Sequence, residues 1–111
     1  VDVSEYHESV ILASWLRARG LVFSHIPNST YTPSHAAKAK NKAMGVSKGV
    51  PDYLILLPGR VVFVELKRRH GGRVSPEQLE WGEALVKSGA SFSVCYGAME
   101  AIAFIQELSS L

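Results

Sequence analysis

Apolar positions recur at helical spacing near the start of the chain. Glu8, Ile11, Leu12, Trp15 and Leu16 stand three and four residues apart, so a helix over residues 4–19 gathers them on one face. Gly20 ends that helix, and Arg17 and Arg19 sit in its last turn, where cations favour the dipole. Residues 21–26 are short and rich in β-forming side chains, which predicts a strand. From 27 to 49 the periodicity lapses. Ser, Thr, Asn, Pro and Lys dominate, and only residues 36–44 suggest a short helical turn. Two strands follow at 53–57 and 61–67, joined through Pro58-Gly59; the second is apolar on both faces as far as Val64, as a central buried strand should be. Ser75-Pro76-Glu77-Gln78 then opens a helix, with serine as N-cap, proline at N1 and glutamine at N3 completing a capping box. Trp81, Leu85 and Val86 line its inner face and Gly89 stops it. A strand at 91–96 and an amphipathic helix at 98–108 close the order α-β-loop-β-β-α-β-α.

At 111 residues the chain has the size of one domain, spanning 1–111, with a long basic loop at 28–48. Loops of that length in compact domains usually serve a function. No apolar run reaches the roughly 20 residues of a membrane span, and the N-terminus lacks the basic-then-apolar pattern of a signal peptide. The chain opens at Val1, so an initiator methionine is expected to have been removed or left unnumbered. Cys95 is the only cysteine, which excludes an internal disulfide and a multi-thiolate zinc site. These features predict a domain of a reducing, cytoplasmic compartment with no membrane partner. The net charge of +2 conceals an asymmetry: residues 36–75 hold nine of the twelve basic residues against Asp52 and Glu65, a local +7 that leaves −5 elsewhere. Such a basic segment is the footprint of a polyanion binder or, more plainly, a solvated surface. The lysines of the 28–48 segment suit an arm that touches a phosphate backbone.

The chemistry concentrates in Gly49-Val50-Pro51-Asp52 and, thirteen residues beyond Asp52, Glu65-Leu66-Lys67. With a hairpin turn centred between Pro58 and Gly59, cross-strand partners have numbers summing to 117, so Asp52 opposes Glu65. Opposed residues project to one side of a sheet with Cβ atoms about 5 Å apart, and Lys67, two residues on, shares that side. Two carboxylates at about 5 Å repel by roughly 3 kcal/mol at an effective dielectric near 20. Lys67 offsets part of this and a divalent cation would offset it fully; a structural Asp–Lys–Glu network is the alternative. Glu8 points toward the sheet from an apolar stripe and needs a partner, which makes it a third acidic ligand candidate; the alternative is a first-turn acid favoured by the helix dipole. Glu5 has a plainer role at N3 of a capping box begun by Asp2. Gln78 serves the Ser75 box, yet it also leans toward the sheet, three and seven residues before Trp81 and Leu85.

Gly49-Val50-Pro51-Asp52, Val62-Phe63-Val64-Glu65-Leu66-Lys67 and Ser75-Pro76-Glu77-Gln78 together resemble the PD-(D/E)XK nuclease signature in its VRR-NUC (virus-type replication-repair nuclease) form. The resemblance covers nearly the whole chain and is closest to stand-alone, phage-like members. It implies an α/β fold with a restriction-endonuclease-like αβββαβ core, a mixed central sheet flanked by helices, and a C-terminal helix. It further implies a Mg²⁺- or Mn²⁺-dependent endodeoxyribonuclease. Asp52 and Glu65 would be metal ligands with the Leu66 carbonyl and an acidic residue of the first helix, Glu8 or Glu5. Lys67 would be the catalytic lysine and Gln78 a further site residue. Phage-like members are similar to Holliday junction resolvases, which implies branched DNA as substrate and a homodimer, with a role in DNA repair in a bacterial or phage-infected cell. No organic cofactor is expected. Lys38, Lys40, Lys42, Lys48, Arg68, Arg69 and Arg73 are the DNA-binding candidates.

Other readings remain open at this point. A non-catalytic nucleic-acid-binding module would have no need of a buried charge cluster. A nuclease acting on flaps or duplex DNA would carry the same residues. A base-reading restriction enzyme would need more chain than the 27–49 segment supplies. His7, His25, His35 and His70 form no spaced ligand motif; His70 belongs to a phosphate-contacting turn or is simply exposed, and Cys95 reads as a small buried hydrophobe.

Overall fold

The computed structural model describes residues 4–27 and 34–110. Its elements are α1 (Glu5–Ala18), β1 (Val22–His25), α2 (His35–Met44), β2 (Tyr53–Leu57), β3 (Arg60–Lys67), α3 (Pro76–Lys87), β4 (Ser91–Tyr96) and α4 (Ala98–Ser109). The four strands form one mixed sheet in the order β1-β2-β3-β4, antiparallel except for the β3–β4 pair, which the α3 crossover makes parallel. The 57–60 hairpin has the register the turn chemistry demands, with Leu57 opposite Arg60 and Tyr53 opposite Val64. Gly59 takes the positive φ of that turn.

Strand alternation divides the molecule into two layers. Tyr53, Ile55, Leu57, Val62, Val64, Leu66 and Cys95 project to one face and are buried under α1 and α4, through Leu12, Leu16, Ala101, Ile102 and Ile105. Burial pushes the Cys95 thiol up to about 11, so it behaves as an inert small hydrophobe. The opposite face carries Leu54, Leu56, Val61, Phe63, Glu65 and Lys67, and α3 covers only its β4 side. Val61 and Leu56 are therefore exposed, and β3 is buried on both faces only from Val64 to Leu66. α3 approaches through Gly82, the one buried residue of that helix, where an added Cβ would lie 2.3 Å from the Phe92 ring. Trp81 and Leu85 are half-buried, but Val86 faces solvent, because the close helix–strand contact leaves room for only one narrow stripe.

The α1 stripe is also narrower than the sequence pattern suggests. Glu8, Leu12 and Leu16 are buried at a spacing of four, Trp15 is half-buried at the edge, and Ile11 turns outward. Ser4, not Asp2, caps this helix: its Oγ accepts the His7 N–H, which makes Glu5 the first helical residue and leaves it exposed. Asp2 lies outside the described residues. Within the 28–48 segment α2 is a full ten-residue helix, capped by Ser34 and ended by Gly45 in the left-handed conformation. It buries no residue, so its alanine- and lysine-rich sequence and its caps hold it rather than packing. No helix among the described residues is long and apolar enough to cross a membrane.

Gly82→Ala should destabilise the domain by about 1–3 kcal/mol through overpacking against Phe92, although alanine is the better helix former. Urea denaturation checks this; equal or greater stability would show that α3 can lift off β4 without cost.

Candidate active site

Asp52, Glu65, Lys67 and Gln78 meet where the sheet's open face runs into the first turn of α3. Asp52 stands one residue before β2, held from two sides. Its carbonyl accepts the Ile26 N–H at 2.6 Å and its Oδ2 accepts the Leu66 N–H at 2.8 Å. The hairpin register, extended one step, sets it beside Glu65. Glu65 is 2% exposed. Its Oε2 accepts the Gln78 Nε2 amide at 2.9 Å and pairs with Lys67 Nζ at 3.2 Å, while its Oε1 is buried with no partner. Burial, and then the neighbouring Asp52 charge, push the Glu65 carboxyl up to about 8; Lys67 opposes them only in part.

Gln78 resolves its two sequence roles by performing both. Its side-chain Oε1 accepts the Ser75 N–H at 2.8 Å, and its own N–H donates to Ser75 Oγ at 3.1 Å, completing the capping box. The amide nitrogen left over donates to Glu65. Cap and site are therefore one rigid unit. Gly49 locks the other side of that unit: at φ 93 it is buried against the Glu77–Gln78 peptide, where a Cβ would fall 2.5 Å from the Glu77 carbonyl carbon. Only glycine allows the segment leading to Asp52 to abut α3 so closely. Sequence reasoning passed over this glycine as a site-builder; the signal was its place in the Gly-x-Pro-Asp run.

Glu8 is buried, 3% exposed, but belongs to the layer behind the sheet. Its Oε1 accepts the Ala98 N–H at 3.0 Å, capping α4, whose N-cap Gly97 has no side chain to do so. Gly97 N–H in turn donates to the Lys67 carbonyl at 2.8 Å, so α1, α4 and the end of β3 are tied at one point. Glu8 Oε2 is buried without a partner. Among the described residues no three Asp, Glu, His or Cys side chains are grouped closely enough to hold a metal, so Glu8 and the Asp52–Glu65 pair are not gathered into one cluster. Glu5 is exposed, and the Leu66 side chain lies in the core.

The basic candidates are all exposed. Lys38 and Lys42 share one side of α2 and Lys40 the other, Lys48 precedes Gly49, and Arg68, Arg69 and Arg73 lie on the connection from β3 to α3. The Arg69 stem lies over Gly97, and the Arg68 guanidinium folds across Gly71. His70 is exposed on the same connection.

The VRR-NUC domain model matches residues 3–99. Among solved structures, one titled a VRR_NUC domain protein superposes with a TM-score of 0.78 at 25% identity, covering 95% of this chain and 87% of its own. A second, titled VRR_NUC domain, has a TM-score of 0.67 at 23% identity and covers 94% and 97%, a likeness of fold. No curated protein matches the chain.

The raised Glu65 carboxyl has a consequence for stability. Its folded value lies above the ordinary carboxylate value, so its contribution is present at low pH and is lost as pH rises from about 4.5 to about 8. In chelator, Glu65→Gln should match the wild type near pH 5 and become progressively more stable relative to it toward pH 8.5. Chemical denaturation across that range measures this, and a pH-independent difference would refute it.

Proposed function

The chain belongs to the VRR-NUC family of nuclease domains, and from that premise we propose that it is a divalent-cation-dependent endonuclease acting on branched DNA as a homodimer. The observation that carries the catalytic reading is Glu65: a buried carboxylate beside Asp52, with one oxygen bound by Lys67 and Gln78 and the other unpartnered. An unpaired buried carboxylate oxygen is costly unless a proton or a cation occupies it. Two carboxylates offer the hard oxygen donors that Mg²⁺ or Mn²⁺ takes, and such ions keep several waters, so a third acidic side chain is not required. In this reading Asp52, Glu65 and the Leu66 carbonyl hold the ion. When bound it supplies Lewis-acid polarisation of the scissile phosphate and an acidified water.

The protein's own residues do the rest. Gln78 orients Glu65 from a capped helix start, so the carboxylate cannot swing away from Asp52. The Asp52 bond to the Leu66 N–H fixes the second carboxylate against the β3 backbone. Lys67, 12% exposed, keeps its ammonium at the edge of the site, where it sits against a phosphate oxygen and offsets the charge that develops during attack. Ion binding must displace the Glu65 proton, so affinity climbs as pH approaches about 8. The Arg68–Arg69 connection and Lys48 adjoin the site and contact the DNA backbone, with the α2 lysines extending that contact. The resemblance to phage-like family members supports the branched substrate and the dimer, since a two-fold pair of sites suits two strands at one junction.

The decisive assay is cleavage of a labelled four-way junction, with linear duplex and splayed-arm controls, in Mg²⁺, Mn²⁺ and EDTA. Junction cutting is expected with either metal and not in EDTA. Equal cutting of duplex or splayed arms would remove the branch preference, and binding without cutting would leave a non-catalytic module. Asp52→Asn and Glu65→Gln should each lower the rate by about 10² or more while DNA binding persists; unchanged turnover would remove the carboxylates from catalysis. Replacing Lys38, Lys40 and Lys42 by alanine should weaken binding and flatten its salt dependence by up to about 0.9 for each phosphate that these lysines neutralise. An unaltered slope of log K against log salt would place α2 outside the interface.

A further inference from the structure

A groove of about 490 Å³ runs between α1 and the β1–β2 end of the sheet, outside the carboxylate site. One wall is an α1 stripe, Tyr6, Val10, Ala13 and Arg17, spaced at four, three and four residues so that it stays on one side of the helix. The opposite wall is His25 and Tyr53, which face each other across the β1–β2 ladder with ring centroids 5.1 Å apart. Tyr53 is the residue after Asp52, and the Asp52 carbonyl binds the residue after His25. Strand alternation nevertheless puts the groove on the α1 side of the sheet and the Asp52 and Glu65 carboxylates on the other, at the same end of β2.

Its chemistry is uneven along its length. At the site-proximal end the Tyr6 ring, 73% exposed, and the exposed His25 ring present aromatic surface to solvent. The middle is apolar, at Val10 and Ala13. The far end carries the exposed Arg17, whose guanidinium lies 5.8 Å from the Phe23 ring centre. Glu5 flanks the aromatic end and would repel a phosphate there, but it can accept from a base-edge amino group. Tyr53 OH is committed to the Ser9 carbonyl and adds no free donor. An exposed aromatic platform with a cation further along the same groove is the pairing that single-strand binders use, stacking for the bases and charge for the backbone. From Tyr6 to Arg17 the helix rises about 16 Å, room for more than one extended nucleotide.

We propose that this groove binds a short unpaired DNA segment, stacking bases on Tyr6 and His25 and leading the backbone to Arg17, on the face of the sheet that backs the carboxylates. This deepens the nuclease reading and rests on it. It assigns the preference for branched DNA to unpaired nucleotides rather than to duplex shape.

The test uses splayed-arm DNA carrying 2-aminopurine in the unpaired arm next to the branch, and an unbranched duplex of the same length. Wild-type protein should quench the probe on binding. Tyr6→Ala and His25→Ala should each weaken splayed-arm binding by about ten-fold and abolish the quenching. Duplex affinity should not change, and Tyr6→Phe should behave as wild type. Equal losses on both DNAs would overturn the proposal, as would no loss on either. A fall in self-association measured by sedimentation, with DNA binding intact, would identify the groove as a contact between copies and overturn it too. If wild-type protein cleaves junctions but the groove variants bind normally, only this proposal fails; if wild-type protein binds no DNA at all, the nuclease reading fails with it.

Discussion

Burial of Glu65 is the constraint around which the rest is arranged. A carboxylate in the last third of the most buried strand is unfavourable unless its oxygens are compensated. The fold supplies two donors to one oxygen, an amide from α3 and an ammonium two residues along the same strand, and supplies none to the other. Burial, and after it the Asp52 charge alongside, lift the Glu65 carboxyl to about 8. A cation bound there, as proposed, would have to exchange for the Glu65 proton, which would link the stability of the strand pair to occupancy of the site.

Everything near Glu65 keeps its two donors and its neighbour in place. Ser75 and Gln78 cap α3, Gly49 presses the Asp52 segment onto that cap, and Asp52 binds the β3 backbone at Leu66. Each contact also has a structural reason to exist, and for that reason the site is stiff. Behind the sheet, Glu8 does similar work: by capping α4 and, through Gly97, holding the Lys67 carbonyl, it fixes where β3 ends and where the lysine leaves the strand. Among the described residues, the buried carboxylate oxygens left without a partner are one on each of these acids.

Much of this was legible from residue order because it depends on local rules. The period of two along a strand and the Pro58-Gly59 turn set which residues oppose, and the observed register agrees pair by pair from Leu57 opposite Arg60 to Tyr53 opposite Val64. The Ser75 cap was equally plain, since capping chemistry acts within four residues. Elsewhere the structure takes one of several arrangements that the pattern allowed. Ser4 rather than Asp2 caps α1, Ile11 and Val86 turn outward, and Glu8 turns to α4. For Ile11 and Val86 the amphipathic pattern allowed a stripe wider than the neighbouring element covers; Glu8 stays on the buried stripe and meets the Ala98 N–H there.

The sequence by itself determined the element order, the hairpin register, the convergence of Asp52, Glu65 and Lys67 on one side of the sheet, and the charge asymmetry, because these follow from turn chemistry, strand alternation and composition. Only the tertiary structure decided that Gln78 reaches Glu65 while still closing its capping box, that Gly49 must be glycine because the α3 backbone lies against it, and that Gly82 makes room for Phe92. Only it joined Tyr6 and Arg17 of α1 to His25 and Tyr53 in one groove. The physical reason is common to all four. Each is a contact between elements distant along the chain, set by how closely two backbones approach, and no pattern within either segment records that distance.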